Sequence, residues 1–295
     1  MNHEHFYVKL IRGSNSGEAD VALELPAMPY TLQDAIDRAS PPKAGTPRVR
    51  IDAYYDCGFL ASVLTDEPEL YTLNALARKL NDLDEWQFKQ FEGLVMLDKQ
   101  NGSTEIGLDR LYDLASSTSA VTLLPATVGK VENGVLLENG QTYAVRTGEI
   151  ENASRSLDLT PEEPDYAVLL DAQTVATDRH MTLKLPADND ELDMRAILCW
   201  RCTDCRIPLL KDAISGSEYP DEVGKLAELL QKMSGEELSQ YKALLEQHGF
   251  IGLSEALSMA ESMESYAPVS TPDKPIEPRE GDMTLGVRSV MEMGM

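Results

Sequence analysis

Apolar residues recur three and four positions apart in two long stretches of this chain, and the stretches overlay at an offset of 150. Leu73, Leu76, Ala77, Leu80 and Leu83 lie against Val223, Leu226, Ala227, Leu230 and Met233. Phe88, Gln90, Phe91, Leu94 and Val95 continue the match opposite Leu238, Gln240, Tyr241, Leu244 and Leu245. This spacing predicts amphipathic helices. Asp84-x-x-Gln87 and Ser234-x-x-Glu237 read as capping boxes that end one helix and start the next. A third helix is expected after each hairpin, around Leu108–Leu111 and Leu253–Leu257.

Upstream, alternating apolar and polar positions predict strands. Phe6–Ile11 is laid against Asp165–Leu170, and Leu23-x-Leu-Pro26 against Leu183-x-Leu-Pro186. A short helix is expected at Thr31–Ile36 and at Asp190–Met194. A third strand then ends in Asp56-Cys57 or Asp204-Cys205. Between the stretches, Val121–Pro125 and Val131–Gly140 read as short strands with Asn-Gly turns. Residues 150–164 read as a linker.

The expected fold is therefore α+β and elongated. Two tandem copies of a small three-stranded sheet plus a short helix are each followed by a small helical bundle. The expected boundaries are a first unit at 1–118, a short β segment and linker at 119–164, and a second unit at 165–267. A Pro-rich tail, expected to be unstructured in isolation, follows at 268–295.

Charge narrows the partners. The chain carries 50 acidic and 26 basic residues, a formal charge of -24. Residues 1–150 hold 22 acids against 13 bases, and residues 151–295 hold 28 against 13. Such a surface does not bind nucleic-acid phosphate directly, because phosphate requires Lys and Arg. It suits a basic protein surface, or serves solubility alone. The N-terminus lacks the basic and apolar regions of a signal peptide, and no stretch has the length of a membrane span, so a cytoplasmic protein with no membrane partner is expected.

The ordering of several short stretches resembles the ArdA antirestriction proteins of mobile genetic elements. Those stretches are Tyr7-Val8-Lys9-Leu10, Ser16-Gly17-Glu18, the Leu23–Pro26 strand end, Arg50–Asp56, and the run from Tyr71-Thr72-Leu73-Asn74 to Leu94. The likeness covers roughly residues 5–115 and, more faintly, 165–265. It implies an elongated acidic protein, with a homodimer open to it, that is not an enzyme and needs no cofactor. The implied activity is inhibition of a type I restriction-modification enzyme, or another defence complex, by imitating DNA and occupying its basic DNA-binding channel. The family's acid-rich segment falls here on Glu92, Asp98, Glu105, Asp109 and Asp113. The second half offers Glu246, Glu255, Glu261 and Glu264. For any one of these residues a solvated helix face is the simpler reading. Two departures stand against the likeness. Lys89, Lys99 and Arg110 interrupt the acidic segment, and the family commonly has one such unit followed by a different α/β domain, of which 120–150 would be a remnant.

An acidic interaction or regulatory module that does not imitate DNA is the alternative. Enzymatic chemistry has thin support: no Walker, GxGxxG, HExxH or GxSxG motif is present. Cys199, Cys202 and Cys205 have a spacing that could contribute to a metal site. On a regular strand, however, Cys199 and Cys205 would face one side and Cys202 the other, and packed or free thiols are the simpler expectation. Cys57, laid against Cys205, would share its structural role. His3-x-His5 reads as a disordered terminus, and Trp86 and Trp200 as packed side chains.

Overall fold

Period-two burial builds the first sheet. Phe6, Val8 and Leu10 on β1 (Phe6–Ile11) are buried, as are Val21, Leu23 and Leu25 on β2 (Val21–Leu25). The computed structural model describes residues 4–11, 20–39, 47–126, 134–159, 163–174, 180–187, 197–217, 219–249 and 252–263. With β3 (Arg48–Tyr54) the strands form an antiparallel sheet in the order β2-β1-β3. Helix α1 (Pro29–Ala39) follows β2 and buries Leu32, Ala35 and Ala39. A 3-10 turn at Gly58–Ser62 leads to α2 (Leu70–Asn81), α3 (Glu85–Gln100) and α4 (Leu108–Ser116).

The predicted helix starts are held as expected. Asp84 accepts the N–H groups of Trp86 and Gln87 while the Gln87 side chain accepts the Asp84 N–H, a complete capping box. Asn74, buried on α2, accepts the N–H of Ala27 at 2.7 Å and donates to its carbonyl at 3.1 Å. That bond fixes the chain just beyond the cis Leu25–Pro26 peptide against the helices.

A second sheet, β4-β6-β5, is made by β4 (Val121–Pro125), β5 (Gly134–Leu136) and β6 (Thr142–Thr147). The Asn139-Gly140 turn joins β5 to β6, with Gly140 at φ +76. This segment is not a separate connector. Val121, Leu123, Val135, Leu137, Tyr143 and Val145 belong to the same buried core as residues 6–115. The close approach depends on Gly93 of α3, where an added Cβ would lie 2.8 Å from Leu123 Cδ2. Glu92 of α3 accepts the Glu138 N–H, and Gln90 donates to the Val121 carbonyl at 2.6 Å. Ser154, in the stretch expected to be a linker, donates its N–H to Asp113 at 2.8 Å.

The second half shares part of this order among the described residues. Strands β7 (Val168–Thr174), β8 (His180–Leu185) and β9 (Ile197–Cys205) form a sheet in the order β8-β7-β9. The expected short helix at Asp190–Met194 lies outside the described residues. A 3-10 turn at Pro208–Leu210 and α5 (Lys211–Ser215) precede α6 (Pro220–Lys232), α7 (Gly235–His248) and α8 (Leu253–Glu261). Ser234 and Glu237 complete the second capping box. A cis Leu185–Pro186 peptide stands where Leu25–Pro26 stands. These residues pack a core of their own around Val168, Leu226, Tyr241 and Leu245.

The strand registers correct two sequence pairings. Phe6 faces Leu25 and Tyr54, and Val168 faces Leu185 and Cys205. Val168, not Asp165, therefore corresponds to Phe6, and Cys205 corresponds to Tyr54, not to Cys57. Both sheets carry a bulge, between Tyr7 and Val8 and between Leu169 and Leu170. One extra residue in a bulge shifts every later side chain to the other face.

The two halves meet at the start of α1. Asp204 of β9 is fully buried, and its carboxylate accepts the N–H groups of Tyr30 and Thr31 at 3.1 Å each. It also accepts the Thr31 hydroxyl and the Tyr166 hydroxyl, each at 2.9 Å. Four donors thus neutralise the cost of burying one charge, and two of them are otherwise unpaired helix-start amides. Tyr30 packs edge-on against Tyr166 at 5.6 Å and donates its hydroxyl to the Tyr166 carbonyl at 2.9 Å. Lys242 of α7 pairs with Asp34 of α1, and Lys211 reaches the Thr31 hydroxyl at 3.3 Å. Replacing Asp204 by Ala should cost ~2–4 kcal/mol, since it removes a cap and leaves buried donors unmade. Urea unfolding followed by circular dichroism should show a lower midpoint, with Asp204→Asn intermediate. An unchanged midpoint would mean that the junction is held by other contacts.

Candidate interaction surface

The acidic residues expected to face a partner divide into three groups. Glu92 and Asp113 are buried and bonded to the backbone of the second sheet and its exit. They hold this fold together and present nothing to a partner, because helix spacing alone does not tell an outward acid from one turned to a neighbouring segment. Asp98 is one-quarter exposed and bound twice by Arg110, at 2.9 and 3.2 Å. Glu105, Asp109, Glu246, Glu255 and Glu261 are exposed. Glu264 lies outside the described residues.

The second helical bundle is the more lopsided surface. Over 220–261 the exposed acids are Asp221, Glu228, Glu236, Glu237, Glu246, Glu255 and Glu261, against exposed Lys225 and Lys232. Several have a local reason to be there. Asp221, Glu236, Glu237 and Glu255 sit in first turns, where the helix dipole favours negative charge. Glu237 also closes a capping box, and its contact with Ser234 holds its carboxyl below the usual range. Glu228 pairs with Lys232 at 3.5 Å.

Glu246 and Glu261 lack such a reason. Both are exposed in the last turn of their helices, where the dipole disfavours an anion. Among the described residues neither makes a hydrogen bond or an ion pair. On α6, Asp221 and Glu228 are seven residues apart, which puts them on one face about 10 Å apart along the axis.

The cysteines do not gather into a site. Cys199 is exposed, with its thiol 3.5 Å from the Gln173 side chain. Cys202 and Cys205 are both buried, so the expected alternation fails after the bulge at Leu169/Leu170. Cys202 donates to the Asp204 carbonyl at 3.3 Å, and burial pushes its thiol up to about 12. Burial also pushes the Cys205 thiol well up. Both therefore stay protonated and packed at neutral pH.

A cluster that sequence reasoning missed lies at the other end of the chain. His5, read as a disordered terminus, is buried and stacked on Phe88, with its Nδ1 2.7 Å from Asp56. Cys57 donates to the His5 carbonyl at 3.3 Å. Ligand-type atoms of His5, Asp56 and Cys57 lie within 4.8 Å of one another. Burial raises the Cys57 thiol, and the Asp56 and Glu138 carboxylates raise it further, so it is a poor thiolate ligand. The register of β1 against β3 brings His5 to this turn, with the Tyr55 N–H bonded to the His5 carbonyl; nothing in the local sequence pattern signals the pairing. Trp86, expected to be packed, is exposed beside the α3 cap, while Trp200 is half-buried and donates to the Ile214 carbonyl at 2.9 Å.

A cleft of about 570 Å³ opens beside the junction of the halves, between α1, α2, α4 and Leu157, Asp158, Leu159, Glu163 and Pro164. None of its described lining residues is His or Cys. Comparison with family models, with curated protein sequences and with solved structures finds no match to this chain.

Glu92 gives a pH test of its structural role. Burial raises its carboxyl; the Glu138 N–H only partly offsets this, and the Glu138 carboxylate adds to the rise. A raised folded-state value means that the folded protein holds the proton longer than the unfolded chain. The Glu92 contribution to stability therefore falls as pH rises above the ordinary value of 4.5. The stability difference between Glu92→Gln and the wild type should shift in favour of the variant across that rise, read as urea midpoints from pH 4 to pH 8. A difference that is flat with pH would show that Glu92 is effectively solvated.

Proposed function

We propose that this protein is a DNA-mimic inhibitor of the antirestriction type, presenting acidic helices to the basic DNA channel of a restriction-modification or other defence enzyme. The observation that carries the reading is the placement of Glu246 and Glu261: exposed, without ion-pair partners among the described residues, and at helix ends that disfavour them. Charge kept where it costs stability points to an outside cation. The two halves, read as one unit used twice, would act as a rigid carrier through the Asp204 junction. Carboxylates held at fixed places on helices can replace phosphates along a Lys- and Arg-lined groove, and association would be fast and salt-sensitive. The contribution of the first half to this surface is smaller, because Glu92 and Asp113 are internal and Asp98 is neutralised by Arg110.

A second reading, an acidic adaptor that does not imitate DNA, draws on exposed Leu124 and Leu136, on the two edge strands of the β4–β6 sheet. Salt separates the readings, since an apolar contact changes little with ionic strength and a charge-matched one weakens.

The direct test is protection of unmodified DNA from a type I restriction enzyme at 50 to 300 mM salt. Inhibition should be strong at low salt and fade as salt rises. The combined change Glu228→Gln, Glu246→Gln and Glu261→Gln should weaken inhibition about tenfold or more at low salt, at ~0.5–1 kcal/mol per contact, with the urea midpoint unchanged or slightly raised. Full inhibition by the triple variant, or none by the wild type at the lowest salt, would refute the assignment.

A further inference from the structure

His5 is a buried imidazole of which the fold uses only one nitrogen. Its Nδ1 lies 2.7 Å from Asp56. Its Nε2 is shut off from solvent and has no hydrogen-bond partner among the described residues. A buried polar atom left unpaired is costly and asks for a reason. The ring is also held in place, with Phe88 stacked on it at 6.0 Å and Phe6 edge-on at 6.5 Å.

Other donors converge on this ring. The Cys57 thiol is fully buried, and ligand-type atoms of His5, Asp56 and Cys57 lie within 4.8 Å of one another. A further carboxylate arrives from the second sheet. Glu138, on the β5–β6 turn, reaches Gly58, where an added Cβ would lie 2.8 Å from Glu138 Oε1. Glycine at 58 leaves the room that this carboxylate occupies. The charge of Glu138 is felt at the Cys57 thiol, and its backbone N–H is held by Glu92. The start of β1, the exit of β3 and the β5–β6 turn thus bring an imidazole, a thiol and two carboxylates to one place.

That mixture selects a class of cation. Calcium and magnesium take oxygen donors, whereas nitrogen and sulfur together suit zinc. In a tetrahedral zinc site the donors lie ~3.3–3.8 Å apart, which side-chain shifts of about 1 Å would reach from here. Asp56 is half-exposed and Glu138 exposed, while His5 and Cys57 are buried, so an arriving cation meets the carboxylates first. The same two carboxylates that oppose a bare thiolate draw in a divalent cation. As the metal–sulfur bond forms, the thiol proton leaves to solvent.

We propose that His5, Asp56 and Cys57 bind a zinc ion, with Glu138 as the fourth donor. The ion ties the edge of the first sheet to the turn of the second. This is independent of what the acidic helices bind.

Titration of the metal-free full chain with Co²⁺, a coloured stand-in for zinc, tests this. A Cys199→Ser background removes the exposed thiol. In that background a thiolate-to-cobalt band in the near ultraviolet should saturate at one equivalent, and Zn²⁺ should displace it. Cys57→Ser should abolish the band. Asp56→Asn and Glu138→Gln alter side chains open to solvent, so the fold should survive, as read by circular dichroism. Each should weaken Co²⁺ binding about tenfold or more. Zn²⁺ should raise the urea midpoint of the background protein, and raise it less in these two variants. No band in the background protein overturns the proposal, as does unchanged affinity in both carboxylate variants. A band that survives Cys57→Ser also overturns it and places the ion on Cys202 or Cys205.

Discussion

The arrangement of this protein depends on one buried carboxylate. Asp204 has no solvent, yet it sits where two amides at the start of α1, a threonine hydroxyl and a tyrosine hydroxyl converge on it. A helix beginning in the first half is thereby capped by a strand of the second. An ordinary cap would come from the residue just before the helix, at a cost of one local bond. Here the cap comes from 174 residues away, so the helix start and the relation between the halves are fixed by a single group. An uncompensated charge in that place would be expensive, and this penalty makes the junction specific as well as stable.

Local structure was legible in the sequence because local rules generate it. Both capping boxes, the helical hairpins they divide and the Asn139-Gly140 turn follow from residue spacing. The errors arose wherever a residue's fate is decided by distant chain. The bulge at Leu169/Leu170 put Cys202 and Cys205 both inside, and only the strand register sets Cys205 opposite Val168, as Tyr54 is opposite Phe6. Asp204 does lie at a strand end as read, but its partners at Tyr30 and Thr31 have no sequence signal. His5 looked like the start of a loose terminus until pairing with β3 delivered Asp56 to it. Residues 119–164 read as a short β segment and linker between two units, yet Gly93 opens the space in which Leu123 joins the first core.

The acidic composition conceals two populations. Some carboxylates act within the protein: Glu92 and Asp113 receive backbone N–H groups, and first-turn acids offset helix dipoles. A smaller set brings no such return at its own position. Composition counts both sets alike, and only burial and helix polarity separate them. The net charge of -24 therefore overstates the carboxylates left without a role inside the fold.

Glu92 and Lys242 each lie eight residues beyond a capping residue, Asp84 or Ser234, and so occupy matching places on α3 and α7. Lys242 looks onto α1 of the other half, whereas Glu92 looks onto the β5–β6 turn, whose Glu138 also reaches to Gly58. The β4–β6 sheet thus fills, in the first half, the seat that the second half gives to a neighbouring helix. A head-to-tail contact left open would recruit molecule after molecule into a filament. With that seat occupied by its own chain, this face of α3 is not offered to a second molecule.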